Sequence, residues 1–106
     1  MSWLLLFFAG LFEIAWAYGL KQSEGFTKLG PSVFTLVFML LSFGLLALAL
    51  KQLPIGTAYG VWTGIGAIGT AIVGMVFLGE PKDLPKIACI VLIGVGIVGL
   101  KLLAKP

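Results

Sequence analysis

Residues 53–79 read LPIGTAYGVWTGIGAIGTAIVGMVFLG and contain no Asp, Glu, Lys or Arg. A helix needs about 20 predominantly apolar residues to cross roughly 30 Å of hydrocarbon, because each residue advances it by about 1.5 Å. Residues 29–50 and 87–100 also lack charged side chains, and residues 1–20 contain only one, Glu13. These runs predict four transmembrane helices, at approximately 3–20, 31–50, 54–79 and 85–103.

The composition of the chain agrees with a membrane location. Of its 106 residues, 60% are hydrophobic and 10% are charged, whereas soluble domains have about 45–50% apolar residues with glycine included and about 25% charged residues. Four spanning helices use roughly 80 residues, which leaves only short loops and tails. We therefore predict an all-α membrane protein with a single four-helix transmembrane domain over residues 1–106.

The residue types that are missing exclude several kinds of chemistry. The chain has no His and no Arg, and its one cysteine, Cys89, has no partner for an internal disulfide. Imidazole catalysis and His-ligated metal sites are therefore excluded. The seven lysines are scattered singly among four acids, without the basic stripe of a nucleic-acid-binding protein. We expect no enzymatic activity, no cofactor, no metal and no nucleic-acid partner.

Glu13 is the residue that most directly predicts a function. It lies about ten residues into the first span, hence about 15 Å deep and near the middle of the bilayer. Intramembrane acids are costly and usually mark ion or proton pathways. The sequence places no lysine at a matching depth, so this carboxylate can bind a proton or a cation in turn. The alternative is a permanently protonated Glu13 that bonds a neighbouring carbonyl.

Four further side chains are candidates for the walls of a site around Glu13. Trp16 lies one turn beyond it on nearly the same helix face, and its indole can donate to the carboxylate or attract a cation. Tyr59 and Trp62 lie one turn apart early in the third span, and Ser42 lies near the middle of the second. The alternatives are an ordinary core aromatic for Trp16 and a Ser42 hydroxyl bonded to its own helix. Together the five residues suit a flat or apolar cation.

Two sets of glycines predict close contacts between helices. Gly94, Gly96 and Gly99 form a literal G-x-G-x-x-G, but the pattern lies inside an apolar run without the preceding strand that a dinucleotide site requires. Small residues that let helices approach explain it better. The second set repeats every four residues in the third span and would make one smooth helix face: Gly56, Gly60 and Gly64.

The lysines give no clear orientation in the membrane. With both chain ends inside, three lysines lie inside (Lys51, Lys101, Lys105) and four lie outside (Lys21, Lys28, Lys82, Lys86). This distribution leaves two alternatives open, a topology set by weak cues and a chain that inserts both ways up. Four short helices do not easily enclose a cavity, so we expect an oligomer. The simplest is a dimer in which two Glu13 side chains face one site between oppositely oriented copies.

The sequence resembles the small multidrug resistance family over essentially its whole length. The likeness rests on residues 53–66, on Glu13 and on Gly25-Phe26-Thr27. Within that family, Trp16 and the run Trp62–Ala67 resemble the guanidinium-exporter subtype rather than the subtype that exports polyaromatic drugs. One departure is Gly60, where the family resemblance leads us to expect alanine.

The resemblance implies a multi-pass protein of a bacterial inner membrane that assembles as an antiparallel, dual-topology homodimer. It implies a proton-coupled antiporter for guanidinium and small guanidinyl cations, with Glu13 shared by proton and substrate. The residues implied to line the pocket are Trp16, Ser42, Tyr59 and Trp62. The alternatives are an exporter of quaternary ammonium or polyaromatic cations, and an intramembrane proton-carrying or regulatory subunit.

Overall fold

The computed structural model describes residues 2–103 and contains four long α-helices. All four are long and apolar enough to cross a membrane, so the chain is a multi-pass membrane protein. The predicted domain limits at residues 1 and 106, and Lys105, lie outside the described residues. The helices are α1 (Ser2–Gln22), α2 (Leu29–Ala49), α3 (Ile55–Phe77) and α4 (Leu84–Leu103).

Local chemistry explains where the helices end. α3 stops at Phe77, two residues before the predicted limit, because Gly79 has a φ of +72°, the left-handed conformation that commonly follows a helix C-terminus. α1 continues two residues beyond the predicted limit, to Gln22. The buried Ser23 then closes the turn: its hydroxyl donates to the Leu20 carbonyl over 2.7 Å and accepts from the Phe26 N–H over 3.1 Å.

The order in which the helices pack against one another leaves α4 at the edge of the subunit. α1 lies against both α2 and α3, and α4 lies against α3. The core is made of small and apolar side chains from α1, α2 and α3, whereas α4 contributes no buried residue. Its exposed apolar surface is what a lipid-facing or subunit-facing helix requires. The buried apolar residues are Leu6, Ala9, Ala49, Ala58, Val61 and Trp62.

Glycines set the closest approach between α1 and α3. A Cβ atom at Gly66 would collide with the carboxyl group of Glu13, and one at Gly69 would collide with Ile14. On the other helix, a Cβ at Gly10 would collide with Ile65. Small residues at such contacts let transmembrane helices approach backbone to backbone. The result is that the Glu13 side chain lies directly against the α3 backbone.

The glycines singled out by their spacing differ in their surroundings. Gly60 and Gly64 face α4, where a Cβ would meet Leu100 Cδ1 at 3.2 Å and Ile97 Cδ1 at 2.8 Å. Gly94 faces Ile68 Cδ1 at 3.8 Å, an ordinary van der Waals distance. Gly56, Gly96 and Gly99 face open space, with none of the residues 2–103 within 4 Å of an added Cβ atom. Their role in helix packing therefore stays a prediction about contacts with another copy.

Candidate functional site

Glu13 lies near the middle of α1, far from either end of the helix. Its Oε1 atom is buried and has no hydrogen-bond partner among residues 2–103. Buried polar atoms are nearly always hydrogen-bonded, and leaving a carboxyl oxygen unpaired is costly. An unpaired acceptor at this depth is therefore a position that a proton or a cationic ligand can satisfy.

Ser42 joins three helices through two hydrogen bonds. Its fully buried hydroxyl donates to the Ala9 carbonyl of α1 over 2.7 Å and accepts from Trp62 Nε1 of α3 over 2.9 Å. Ser42 thus bonds across helices rather than to the preceding turn of its own helix. Because both donor and acceptor are used, the indole of Trp62 is held in one orientation at the centre of the subunit.

The aromatic side chains of the site form a continuous series of tilted and edge-on contacts. Trp62 lies 5.6 Å from Tyr59 and 5.7 Å from Phe43, measured between ring centres. Phe43 in turn lies 6.1 Å from Trp16, with an angle of 72° between the ring planes. Separations of 4.5–7 Å in tilted or edge-to-face arrangements are favourable for aromatic pairs. Phe43 therefore connects the wall residue of α1 to those of α3.

Phe43 was not predicted from the sequence, and one predicted contact is missing. Nothing in the residue pattern distinguishes Phe43 from the other phenylalanines except its position next to Ser42. The possible hydrogen bond from Trp16 to Glu13 is absent, because Trp16 Nε1 is buried without a partner among the described residues. An unpaired N–H donor and an unpaired carboxyl acceptor therefore remain on the same helix, one turn apart.

One side of the aromatic series is open in the single subunit. Tyr59 is 55% exposed and Phe43 is 44% exposed, whereas Trp62 is 7% exposed. Such exposure is unusual for rings that wall a polar site, since an open site would admit lipid or water. No cluster of three or more metal-ligating side chains occurs within residues 2–103. The arrangement can offer a carboxylate and π faces to an organic cation.

Comparison with known proteins shows relatives that match nearly the whole chain. A guanidinium exporter of Yersinia pseudotuberculosis is 59% identical over 102 residues, which cover 96% of this chain and 98% of that protein. A guanidinium exporter of Escherichia coli K12 is 56% identical, with 96% and 97% covered, and one of Salmonella typhimurium is 51% identical over 104 residues, with 98% and 99% covered. The family model described as Small Multidrug Resistance protein matches residues 1–93. The chain therefore belongs to the small multidrug resistance family.

Proposed function

We propose that this protein is a proton-coupled antiporter that exports guanidinium and small guanidinyl cations. The observation that carries the proposal is the buried Glu13 Oε1 near the middle of α1, which has no hydrogen-bond partner among the described residues. The aromatic series from Trp16 to Tyr59 supports it, since it offers ring faces on the same subunit. The similarity to three proteins named guanidinium exporters favours guanidinium as the substrate.

Guanidinium chemistry fits a carboxylate with aromatic walls. The ion is planar, permanently charged at neutral pH and rich in N–H donors, and a carboxylate accepts two of these in a fork geometry. Its faces are weakly hydrated and attracted to indole and phenol rings. Glu13 would hold the edge of the ion, while Trp16 and Trp62 would cover its faces. A larger polyaromatic cation would need more room between these rings.

A homodimer would close the side of the site that is open in one subunit. The exposed rings of Tyr59 and Phe43 and the unburied surface of α4 both offer area to a second copy. Oppositely oriented copies would supply the inverted repeats that place transporter sites at the membrane midplane. The balance of three lysines against four supports insertion in both orientations. We therefore infer an antiparallel, dual-topology dimer with two Glu13 side chains at one site.

Coupling would follow from competition for these carboxylates. A protonated Glu13 has no charge with which to hold a cation, and a cation held by the charged Glu13 neutralises the carboxylate and repels a proton. Rocking of the two subunits would expose the site first to one side and then to the other. Protons that enter along their gradient would displace guanidinium on the outside and so drive its export.

The function is tested by proton movement in sealed proteoliposomes that hold only this chain. An outward guanidinium gradient is expected to drive protons inward, which a trapped pH-sensitive dye reports whatever the stoichiometry. Protein-free vesicles with the same gradient are the control. Flux with polyaromatic cations but not with guanidinium would favour the drug-exporting alternative, and folded protein without flux for either would contradict antiport.

The dual topology is tested by labelling one introduced cysteine from outside sealed vesicles. Asp83→Cys, on a Cys89→Ala background, places the thiol in the exposed turn before α4. This double substitution keeps every lysine. The loss of the Asp83 charge is expected to leave the orientation unchanged, because acidic residues contribute little to membrane topology. Roughly half of the chains are expected to react with an impermeant reagent before lysis, because antiparallel dimers present each end equally on both sides. Labelling of nearly all or nearly none would contradict insertion in both orientations.

A further inference from the structure

A groove runs along the outer surface between α1 and α4. It exists because α4 packs on α3 and not on α1, so α3 forms the floor of the gap between them. Apolar side chains line its walls and floor: Leu4 and Phe7 of α1, Val61 and Ile65 of α3, and Ile97 and Val98 of α4. Its volume is about 590 Å³, within the range of cavities that hold small organic ligands.

One end of the groove carries a positive charge beside an aromatic ring. Lys101, in the last turn of α4, places its Nζ atom 5.7 Å from the ring centre of Trp3. Both residues line the groove. Lysine and tryptophan at helix ends are typical of the height of lipid headgroups. The groove thus runs from the interface into the hydrocarbon region.

Lys101 has no acidic partner within residues 2–103. The two ion pairs among these residues are Lys28–Glu24 and Lys86–Glu80, and both lie at the opposite end of the bundle, with the α1–α2 and α3–α4 loops. Asp83 lies at that end too, and Glu13 lies at mid-depth in α1. The positive charge at the mouth of the groove is therefore not neutralised by any described carboxylate.

We propose that this groove binds a phospholipid with a net negative headgroup. One acyl chain lies along the apolar walls, and the headgroup phosphate pairs with Lys101 beside Trp3. A zwitterionic lipid would bring its own ammonium group toward the Lys101–Trp3 end, which lowers the attraction. The transported cation is a poor occupant for the same reason, since Lys101 would repel it. This proposal does not depend on the proposed transport function.

A second copy of the chain is a weaker candidate for the same groove. The open glycines of α4 for which we predict subunit contacts are Gly96 and Gly99. At about 100° per residue, they lie roughly 140° and 200° around the helix from Lys101. A partner packed on that glycine face leaves the groove turned toward lipid.

The test measures lipids retained by the purified protein in native mass spectrometry, with phosphatidylglycerol or phosphatidylcholine supplied in the detergent. The parent protein is expected to retain phosphatidylglycerol in preference to phosphatidylcholine. Lys101→Gln is expected to weaken that binding about fivefold, the size of one lysine's attraction to an anionic lipid. Lys51→Gln is the matched control, because Lys51 is an exposed lysine at the same end that does not line the groove. It is expected to bind like the parent.

A second variant tests the groove itself without a change of charge. Val98→Phe fills the cavity from an exposed position of α4 and is expected to lower phosphatidylglycerol retention with Lys101 intact. Helical content by circular dichroism verifies that each variant folds. Equal losses from Lys101→Gln and Lys51→Gln, or equal retention of the two lipids, would overturn the proposal. So would a Val98→Phe chain that keeps its lipid but no longer dimerises, since the groove would then be a subunit interface.

Discussion

Glu13→Gln is expected to abolish guanidinium-driven proton flux in proteoliposomes. Glutamine keeps the size of the side chain but removes both the negative charge and the site of protonation. Removing one partner of a buried charge pair costs about 3–5 kcal/mol, which is more than a hundredfold in affinity. The loss should therefore reach the background of protein-free vesicles, as measured with the trapped pH-sensitive dye.

The control for this prediction is Glu13→Asp, which keeps a carboxylate one methylene shorter. Reduced but coupled flux is expected from Glu13→Asp, because proton and cation still compete for the same group. Unchanged size-exclusion profiles and helical content would show that both variants fold. Robust proton flux driven by guanidinium in Glu13→Gln would rule out Glu13 as the shared site.

The same variant tests whether two carboxylates act together. When parent and Glu13→Gln chains are co-reconstituted in equal amounts, random pairing leaves about a quarter of the dimers with both Glu13 side chains. If both are required, flux falls to that fraction and follows the square of the parent's share. A flux proportional to the parent's share would contradict a site built from two subunits.

The four helices and the position of Glu13 could be predicted from the sequence, because both follow from where charged residues lie along the chain. Long runs without charged residues have few structural solutions in a bilayer, and the structure has four membrane-length helices. Glu13 stands alone within the first of these runs, so its position along α1 followed from counting residues. The helix ends were less accurate by about two residues, because they depend on local turn geometry such as the positive φ of Gly79.

The contacts between helices could not be predicted from the sequence. Ser42 bonds to the carbonyl of Ala9, and no residue pattern identifies a backbone oxygen on another helix as its partner. Phe43 is one of eight phenylalanines, and only the packing of α1 against α2 and α3 brings it between Trp16 and Trp62. For the same reason, four-residue spacing pointed to Gly56, Gly60 and Gly64 rather than to the glycine beneath Glu13.

That glycine, Gly66, gives the second large effect that we expect. Gly66→Ala places a Cβ atom where the Glu13 carboxyl group lies, so either Glu13 changes its rotamer or α1 and α3 move apart. Overpacking costs about 1–3 kcal/mol, and a collision as close as this one belongs at the upper end of that range, above the roughly 1 kcal/mol that alanine contributes over glycine in a helix. We expect at least a tenfold loss of guanidinium-driven flux, together with a lower temperature of thermal unfolding in detergent.

The matched control is Gly44→Ala in α2, where a Cβ atom would meet nothing within 4 Å among residues 2–103 of the same subunit. Gly44 lies two residues from Ser42, hence about 200° around the helix and on the opposite side from it. With no collision, only the helix propensity changes, so this variant should unfold at the same or a higher temperature and keep its flux. The comparison separates a general effect of glycine replacement from displacement of the acid. A Gly66→Ala chain that transports like the parent would mean that transport does not require Glu13 to lie against the α3 backbone.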